Sequence, residues 1–204
     1  MTNSGEKKMN ELQIGDSVQV EGGSFEPIYA FGAHKTSEPE TVMVTVATES
    51  GKSLSLSPSH WMYVEADGVQ TAIKAMDVRE GHVVFVEGGG KDLIVKTSTS
   101  VMKGLYNPMT PSGTIVVDGV LASVYAGKSH PDYLHILATP ARLASKVMST
   151  AVLESANGML GSMFGFDGVT TPSWLLAMDG VLSAATESKA TFAMATAACF
   201  VQEK

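Results

Sequence analysis

One segment of this sequence occurs twice. Residues 9–20 and 75–86 both follow the pattern apolar-x-x-apolar-x-x-Gly-polar-x-Val-x-aliphatic. A second pair of related segments, residues 56–64 and 109–117, follows in the same order. Because two motifs recur in order, we predict a duplicated β unit with halves at about residues 9–64 and 75–117. Such halves usually pack with approximate two-fold symmetry, and a site can form where they meet.

The hydrophobic pattern up to about residue 126 is typical of β strands. Apolar residues alternate with polar ones, as in the valines at positions 42, 44 and 46, and this period of two marks a strand with one buried face. Turn signals interrupt the pattern at residues 21–23, 50–51, 67–68, 88–90 and 118–119. We therefore predict a mostly β protein, with a compact β body over residues 1–127.

The sequence after Pro131 has a helical pattern, and we predict a helical tail over residues 128–204. Leu143, Val147 and Ala151 lie at the spacing of one helical face, and Asn157-Gly158 is a plausible helix end. A further helix is predicted to start at Thr171-Pro172, and another to span residues 188–201.

Charge and cysteine content exclude several kinds of site. The net charge is −7 and there is no basic stripe, so we expect no nucleic-acid partner. The single cysteine, Cys199, excludes an intrachain disulfide and a Cys-rich metal site. Neither a phosphate-binding glycine loop nor a known metalloprotease motif is present, so we expect no cofactor and no metal. The first residues lack the apolar core of a signal peptide, and no long apolar run predicts a membrane span.

Histidines are the candidates for chemistry. His60 follows Ser57 by three residues at a strand entrance, while the second copy of this motif carries Gly113 instead. The imidazole could transfer a proton near neutral pH with the hydroxyl orienting it, or the pair could form a structural turn. His34 is either a second catalytic group at a sheet end or an exposed loop residue, and His82 is interpreted as a turn residue.

Four stretches resemble the Hint superfamily, whose fold is shared by inteins and the autoprocessing domain of hedgehog proteins. Residues 9–18 resemble its Leu-x-x-Leu-x-x-Gly-Asp-x-Val opening, and residues 56–64 resemble its block with the pattern Leu-Thr-x-x-His. Residues 106–126 resemble its long Tyr-x-Pro-Leu-Thr to Ala-Ser-Cys-Tyr-Ala block, and residues 130–143 its trailing His and Pro-x-Arg-Leu pattern. The likeness is closest to the hedgehog C-terminal domain and implies a pseudo-two-fold β body.

The resemblance also implies a mechanism. A cysteine at the first position of the domain attacks the preceding peptide bond, and a second nucleophile cleaves the resulting thioester. In the family this nucleophile is a sterol hydroxyl, water or a thiol. By position, His60 would act on the scissile amide nitrogen, Ser57 would orient His60, and His34 would be a base. An N-terminal segment in cis is the implied partner.

Two positions depart from the family pattern. Val124 stands where the Ala-Ser-Cys-Tyr-Ala block has cysteine, and the nucleophilic cysteine is expected upstream of Met1. We therefore expect an autoprocessing domain that is truncated or inactive as given. The alternative is a non-catalytic Hint-like remnant that acts as an interaction module.

The resemblance also has implications for location and assembly. It implies a secreted or membrane-associated parent protein, with membrane contact through the tail, and we expect a monomer.

Overall fold

The computed structural model describes the backbone of residues 1–164 and the side chains of residues 1–32 and 40–157. These residues form ten strands, followed by three α-helices. The strands are β1 Ser17–Gln19, β2 Phe25–Pro27, β3 Ala30–Thr48, β4 Ser53–Leu56, β5 His60–Ala66, β6 Val69–Lys74, β7 Val83–Phe85, β8 Lys91–Met109, β9 Thr114–Val117 and β10 Val120–Ala126. The helices are α1 Pro131–Leu137, α2 Thr139–Ser145 and α3 Thr150–Phe164.

The strands pair almost entirely in one antiparallel sheet. Its order is β4-β3-β8-β7-β5-β10-β9, with β6 also paired to β5, and β1 and β2 form a separate two-stranded ribbon. The two longest strands, β3 and β8, pair with each other along most of their length. The predicted mostly β fold is confirmed.

The duplicated sequence has a duplicated backbone. Short 3-10 helices precede β1 and β7 at Met9–Glu11 and Ala75–Asp77, and others follow these strands at Glu21–Gly23 and Glu87–Gly89. The last two of these helices, one from each repeat, lie against each other. Two parts of the expectation stay predictions: the two-fold relation between the halves, and their limits at about residues 9–64 and 75–117.

The turn that opens each repeat has the same hydrogen bonds. The Gly15 N–H donates to the Ile28 carbonyl and the Gly81 N–H donates to the Ile94 carbonyl, both at 2.8 Å. Gly15 and Gly81 have φ values of +93° and +89°, which a residue with a Cβ adopts only with strain. The glycine in the repeated motif is therefore required by the turn.

Residues at matching places in the two repeats also share one core. Val18 and Val84 from the repeated strands are both fully buried, as are Ile28 and Ile94. Each comes from an alternating segment whose apolar side chains point to the same face. Burying such aliphatic side chains contributes about 1.5–3 kcal/mol each, so the core holds both repeats in one body.

The helices differ in detail from those predicted. The face expected from Leu143, Val147 and Ala151 is broken, because α2 ends at Ser145 and α3 begins at Thr150. Ser149 and Thr150 are residue types that favour a helix start, and the Ser149 carbonyl accepts the first α3 hydrogen bonds.

The helix end expected at Asn157-Gly158 is also wrong. Helix α3 continues to Phe164, and the Asn157 amide oxygen accepts a hydrogen bond at 3.2 Å from the Phe31 N–H of β3. Asn157 is thus engaged with the β body and does not cap the helix. The division into residues 1–127 and 128–204 stays a prediction, and the helices expected after Thr171 lie outside the described residues.

Candidate functional site

The two related segments at residues 56–64 and 109–117 form the same turn. The His60 N–H donates to the Ser57 carbonyl at 2.9 Å, and the Gly113 N–H donates to the Thr110 carbonyl at 3.1 Å. Strand β5 begins at His60, directly after the first turn, and β9 begins at Thr114, directly after the second. His60 and Gly113 therefore occupy equivalent places at two strand entrances.

The surroundings of Gly113 leave no room for a side chain. Its φ is +80°, and a Cβ there would lie 2.6 Å from Nδ1 of His135 and 3.0 Å from the ring of Tyr125. Helix α1, which carries His135, thus fills the place that at the other turn is taken by the His60 side chain. The asymmetry between the repeats has a structural cause: one turn receives the helices and the other borders a cavity.

A hydrogen bond decides which nitrogen of the neutral His60 ring carries the proton. Its Nε2 lies 2.8 Å from the backbone carbonyl oxygen of Ser123 in β10. A carbonyl oxygen can only accept, so Nε2 carries the proton and Nδ1 of the neutral ring is left as a base. Burial lowers the pKa of His60 below 6.5, and the bond to Ser123 opposes this only in part. His60 is therefore a neutral imidazole at physiological pH.

His60 and Ser57 border one cavity of about 170 Å³. Its lining also includes the segment of β8 that carries Tyr106 and Asn107. Val124, at the position where the family motif has cysteine, also lines it. Sequence reasoning had placed His60 and Ser57 at one rim, and in the structure the two residues share this cavity.

His34 is placed by its backbone. It lies in β3 and pairs with Tyr106 of β8, while its neighbour Ala33 pairs with Asn107. Both β8 partners line the cavity that contains His60. The backbone of His34 is therefore next to the strand that forms one wall of the cavity.

A second cavity of about 230 Å³ shares lining residues with the first. Met9, Ile115 and Val117 border both, and the second reaches Met1 and Thr2. The N-terminal residues are held as an extension of the β1 ribbon, because the Gln19 N–H donates to the Met1 carbonyl at 3.1 Å. The cavity at His60 and the cavity at the start of the described chain are therefore neighbours that share part of their lining.

Asn107 has a polar atom that sequence reasoning missed. Its amide oxygen is buried and has no hydrogen-bond partner among the described residues. A buried, unpaired acceptor costs about 1–3 kcal/mol unless a donor reaches it. Asn107 is also one of the residues that line the cavity with His60. Its place inside the Tyr-x-Pro motif was the only signal in the sequence.

The side chain of Arg142 holds helices α1 and α2 against the β body through hydrogen bonds. Its guanidinium donates to the Pro111 carbonyl at 3.0 Å, to the His135 carbonyl at 3.1 Å and to the Thr139 hydroxyl at 2.8 Å. The Tyr125 hydroxyl and Nδ1 of His135 are hydrogen-bonded at 2.9 Å. This explains why an arginine follows the histidines in the trailing motif: it joins α1 and α2 to the turn before Gly113.

The histidines outside the cavity have structural contacts. His82 accepts a hydrogen bond from the Arg79 N–H at 3.3 Å, in agreement with its interpretation as a turn residue. The His130 ring lies 5.4 Å from the Trp61 ring, and its Nδ1 accepts from the Asp132 N–H at the start of α1. Within the described residues, no group of three or more His, Cys, Asp or Glu could hold a metal ion. Cys199 lies outside the described residues.

Comparison with known proteins identifies relatives among the hedgehog and nematode hedgehog-related proteins. The chain is 32% identical to Protein qua-1 of Caenorhabditis elegans over 148 residues, which is 61% of this chain and 13% of that protein. It is 28% identical to Sonic hedgehog protein of Danio rerio over 189 residues (86% of this chain, 45% of that protein). Protein hedgehog of Drosophila virilis is 31% identical over 160 residues, 72% of this chain and 32% of that protein. The chain thus spans less than half the length of each of these relatives.

Solved structures with a similar fold include inteins. The gp41-1 intein has a TM-score of 0.49 at 17% identity, covering 60% of this chain and 90% of the intein. The PabCDC21-1 intein has a TM-score of 0.47 at 19% identity, covering 62% and 94%. The family model described as the Hint module matches residues 1–164. The chain therefore belongs to the Hint module family, the autoprocessing family of hedgehog proteins and inteins.

Proposed function

We propose that this protein is a hedgehog-type autoprocessing domain that cleaves the peptide bond at its own N-terminal junction. The observation that carries the proposal is His60, a neutral imidazole held at Nε2 and bordering a cavity that shares lining residues with the cavity at the N-terminal residues. Hint modules act in cis with an N-terminal segment. The scissile bond would lie before a cysteine upstream of Met1.

In the proposed reaction, the neutral His60 ring first acts as a base. Its Nδ1 accepts the proton of the cysteine thiol, and the sulfur attacks the carbonyl carbon of the preceding peptide bond. The carbon–nitrogen bond then breaks, and His60 returns the proton to the departing amine, which leaves a thioester. A neutral ring with one free nitrogen can do both steps, which is what general acid–base catalysis requires.

Ser57 and His34 have supporting roles in this proposal. Ser57 borders the same cavity as His60, so its hydroxyl can orient the ring or the entering peptide. His34 lies in β3 beside the strand that lines the cavity, and we assign it as the base for the second step. In that step a second nucleophile attacks the thioester carbon and the thiolate leaves. A sterol hydroxyl, water or a thiol would each satisfy this chemistry.

In this proposal the upstream segment would lie along the two neighbouring cavities. The N-terminal residues are already hydrogen-bonded along β1, where the Asn3 N–H donates to the Ser17 carbonyl at 3.1 Å. A strand continued upstream from Met1 would run over Ile115 and Val117, which border both cavities, towards His60. This path brings the junction to the residues that would cleave it.

A second candidate is a non-catalytic Hint-like module that serves for interaction. The observation that favours it is Val124, which is buried and lines the cavity where the family motif has a cysteine. An apolar side chain at that place cannot act as a thiol. This candidate keeps the β body and needs no cleavage.

One experiment separates the two candidates. The chain is joined to an upstream reporter through a short segment that begins with cysteine and restores the missing first strand, and release of the reporter is followed with and without added thiol. We expect thiol-induced release, and we expect His60→Ala to slow it by about 10²–10⁴-fold. His82→Ala is the control, because His82 caps a turn outside the cavity.

The outcomes are distinct. Release by His60→Ala at the rate of the unsubstituted fusion would contradict the role of His60. A folded fusion that releases no reporter under any thiol concentration would favour the interaction module. Variants Ser57→Ala and His34→Ala then test the supporting roles, with Ser57→Thr expected to keep activity because it retains the hydroxyl.

The tail is proposed to hold the second nucleophile or to contact a membrane. The described part of the tail, with its helices and the segment between α2 and α3, exposes apolar side chains. No helix within residues 1–164 is long and apolar enough to cross a membrane. The exposed apolar residues are Tyr133, Ile136, Leu143, Val147, Met148 and Val152. We expect the full chain to float with liposomes and the double variant Ile136→Ser, Val147→Ser to float less, with and without sterol. Equal flotation would mean that these residues only face solvent.

A further inference from the structure

We propose that the Ser123 hydroxyl is a positioning residue that sets which ring nitrogen of His60 carries the proton. It does so by stabilising a bulge in β10 that turns the Ser123 carbonyl towards the His60 ring. The inference deepens the proposed cleavage function and rests on it for the consequence on activity. Its structural part, the protonation of one ring nitrogen, can be measured without any cleavage.

The bulge is visible in the pairing of β10 with β5. Ala122 pairs with Met62 and Ala126 pairs with His60, so Ser123, Val124 and Tyr125 face the single residue Trp61. Extra residues on one strand leave backbone groups without their ladder partners. In a buried strand each of those groups needs another partner.

The bulge finds these partners locally. The Val124 N–H donates to the Gly113 carbonyl at 2.9 Å, and the Tyr125 N–H donates to the Ser123 hydroxyl oxygen at 3.0 Å. The Ser123 carbonyl accepts a hydrogen bond from Nε2 of His60 at 2.8 Å. The carbonyl is free to do this because the regular ladder is interrupted at this residue.

The Ser123 side chain is essential to this arrangement. Ser123 is completely buried, so bulk solvent does not reach its hydroxyl. Removing the hydroxyl would leave the Tyr125 N–H unpaired, and the bulge could regain a partner only by moving towards regular pairing. That movement would withdraw the Ser123 carbonyl from His60.

Loss of the carbonyl would change the chemistry of the ring. A neutral imidazole with no fixed acceptor at Nε2 divides its proton between the two nitrogens. The fraction with the proton on Nδ1 cannot accept a proton there from a thiol. Ser123 therefore acts through His60, and it does so by holding Nδ1 in the unprotonated form.

The first test uses nitrogen NMR of the His60 ring in the intact chain at pH 8. We expect a single neutral tautomer with the proton on Nε2, and a mixture of tautomers in Ser123→Ala and in Ser123→Gly. Ser129→Ala is the control, because Ser129 is also buried but has no part in the bulge. A proton on Nδ1 in the unsubstituted chain would overturn the inference before any variant is made. A single Nε2–H tautomer in both Ser123 variants would do so as well.

The second test uses the reporter fusion. Misplacement of a catalytic group by about 1 Å can cost roughly 100-fold in rate, and we expect Ser123→Ala to slow release by about 10- to 100-fold. Ser123→Thr keeps the acceptor oxygen and is expected to recover both the tautomer and part of the rate. Full release by Ser123→Ala, with His60→Ala inactive, would overturn this inference and leave the proposed function intact.

Discussion

Thr150, the first residue of helix α3, lies directly over Gly15 in the first turn of the β body. A Cβ on Gly15 would be 3.1 Å from the Thr150 methyl carbon and 3.2 Å from its hydroxyl oxygen. The equivalent glycine of the second repeat, Gly81, has nothing within 4 Å of such a Cβ. The two turns thus differ in their surroundings, because helix α3 packs on the turn at Gly15 and nothing in the described part of the chain packs on the turn at Gly81.

This difference gives a matched pair of substitutions. Gly15→Ala and Gly81→Ala each place a side chain at a positive φ, at a cost of about 1–2 kcal/mol in the free energy of unfolding. Gly15→Ala should cost about 1 kcal/mol more, because the new methyl group crowds Thr150. Urea unfolding of both variants measures the difference. Thr150→Ala should remove the excess in the Gly15→Ala background, and equal costs for the two glycines would show that α3 does not pack there.

The turn before β9 offers a stronger test of the helix contact. Gly113→Ala combines a positive φ with a Cβ at 2.6 Å from His135, so we expect a loss of about 3 kcal/mol in the free energy of unfolding. His135→Ala should be less damaging, and it should reduce the cost of Gly113→Ala when the two are combined. Thermal unfolding of the single and double variants measures this coupling. Additive losses would mean that the two residues do not press on each other.

His60 should make the stability of the protein depend on pH. Burial lowers the pKa of folded His60 below its ordinary value of 6.5, so between these two values the unfolded chain binds more protons than the folded one. The free energy of unfolding should therefore fall as the pH drops from about 6.5 towards the lowered pKa. His60→Gln should reduce this slope, while His82→Gln should keep it. Part of the slope should remain, because burial also lowers the pKa of His135.

The rate of reporter release should also depend on pH through the titration of His60. Only the neutral His60 ring can accept the thiol proton, so the rate should rise with pH through the lowered pKa of His60 and then level off. A rate profile measured between pH 4.5 and 8 at constant thiolate concentration of the external nucleophile tests this. A rate that falls as the pH rises over that range would be incompatible with His60 acting as the first base.

Local patterns were sufficient to predict the repeated β body. The Gly15 and Gly81 turns, the alternating valines and the turn at Ser57 are each formed by contacts within a few residues, and these leave a direct trace in the sequence. The cavity was harder to predict, because Ser123 and Asn107 reach it from β10 and β8 through pairing between distant segments. The break between α2 and α3 was missed because packing on the body, through Thr150 and Asn157, outweighs the periodic apolar pattern.

The pairing of β3 with β8 has a consequence for how the protein folds. These strands come from different repeats, and their register joins Ala30 to Met109 and Thr48 to Ile94. Neither repeat can therefore complete its sheet until most of the other has been synthesised and has closed a long loop. Topologies with such distant contacts fold slowly, in milliseconds to seconds. Strand β3 should therefore remain without its β8 partner until β8 has emerged from the ribosome.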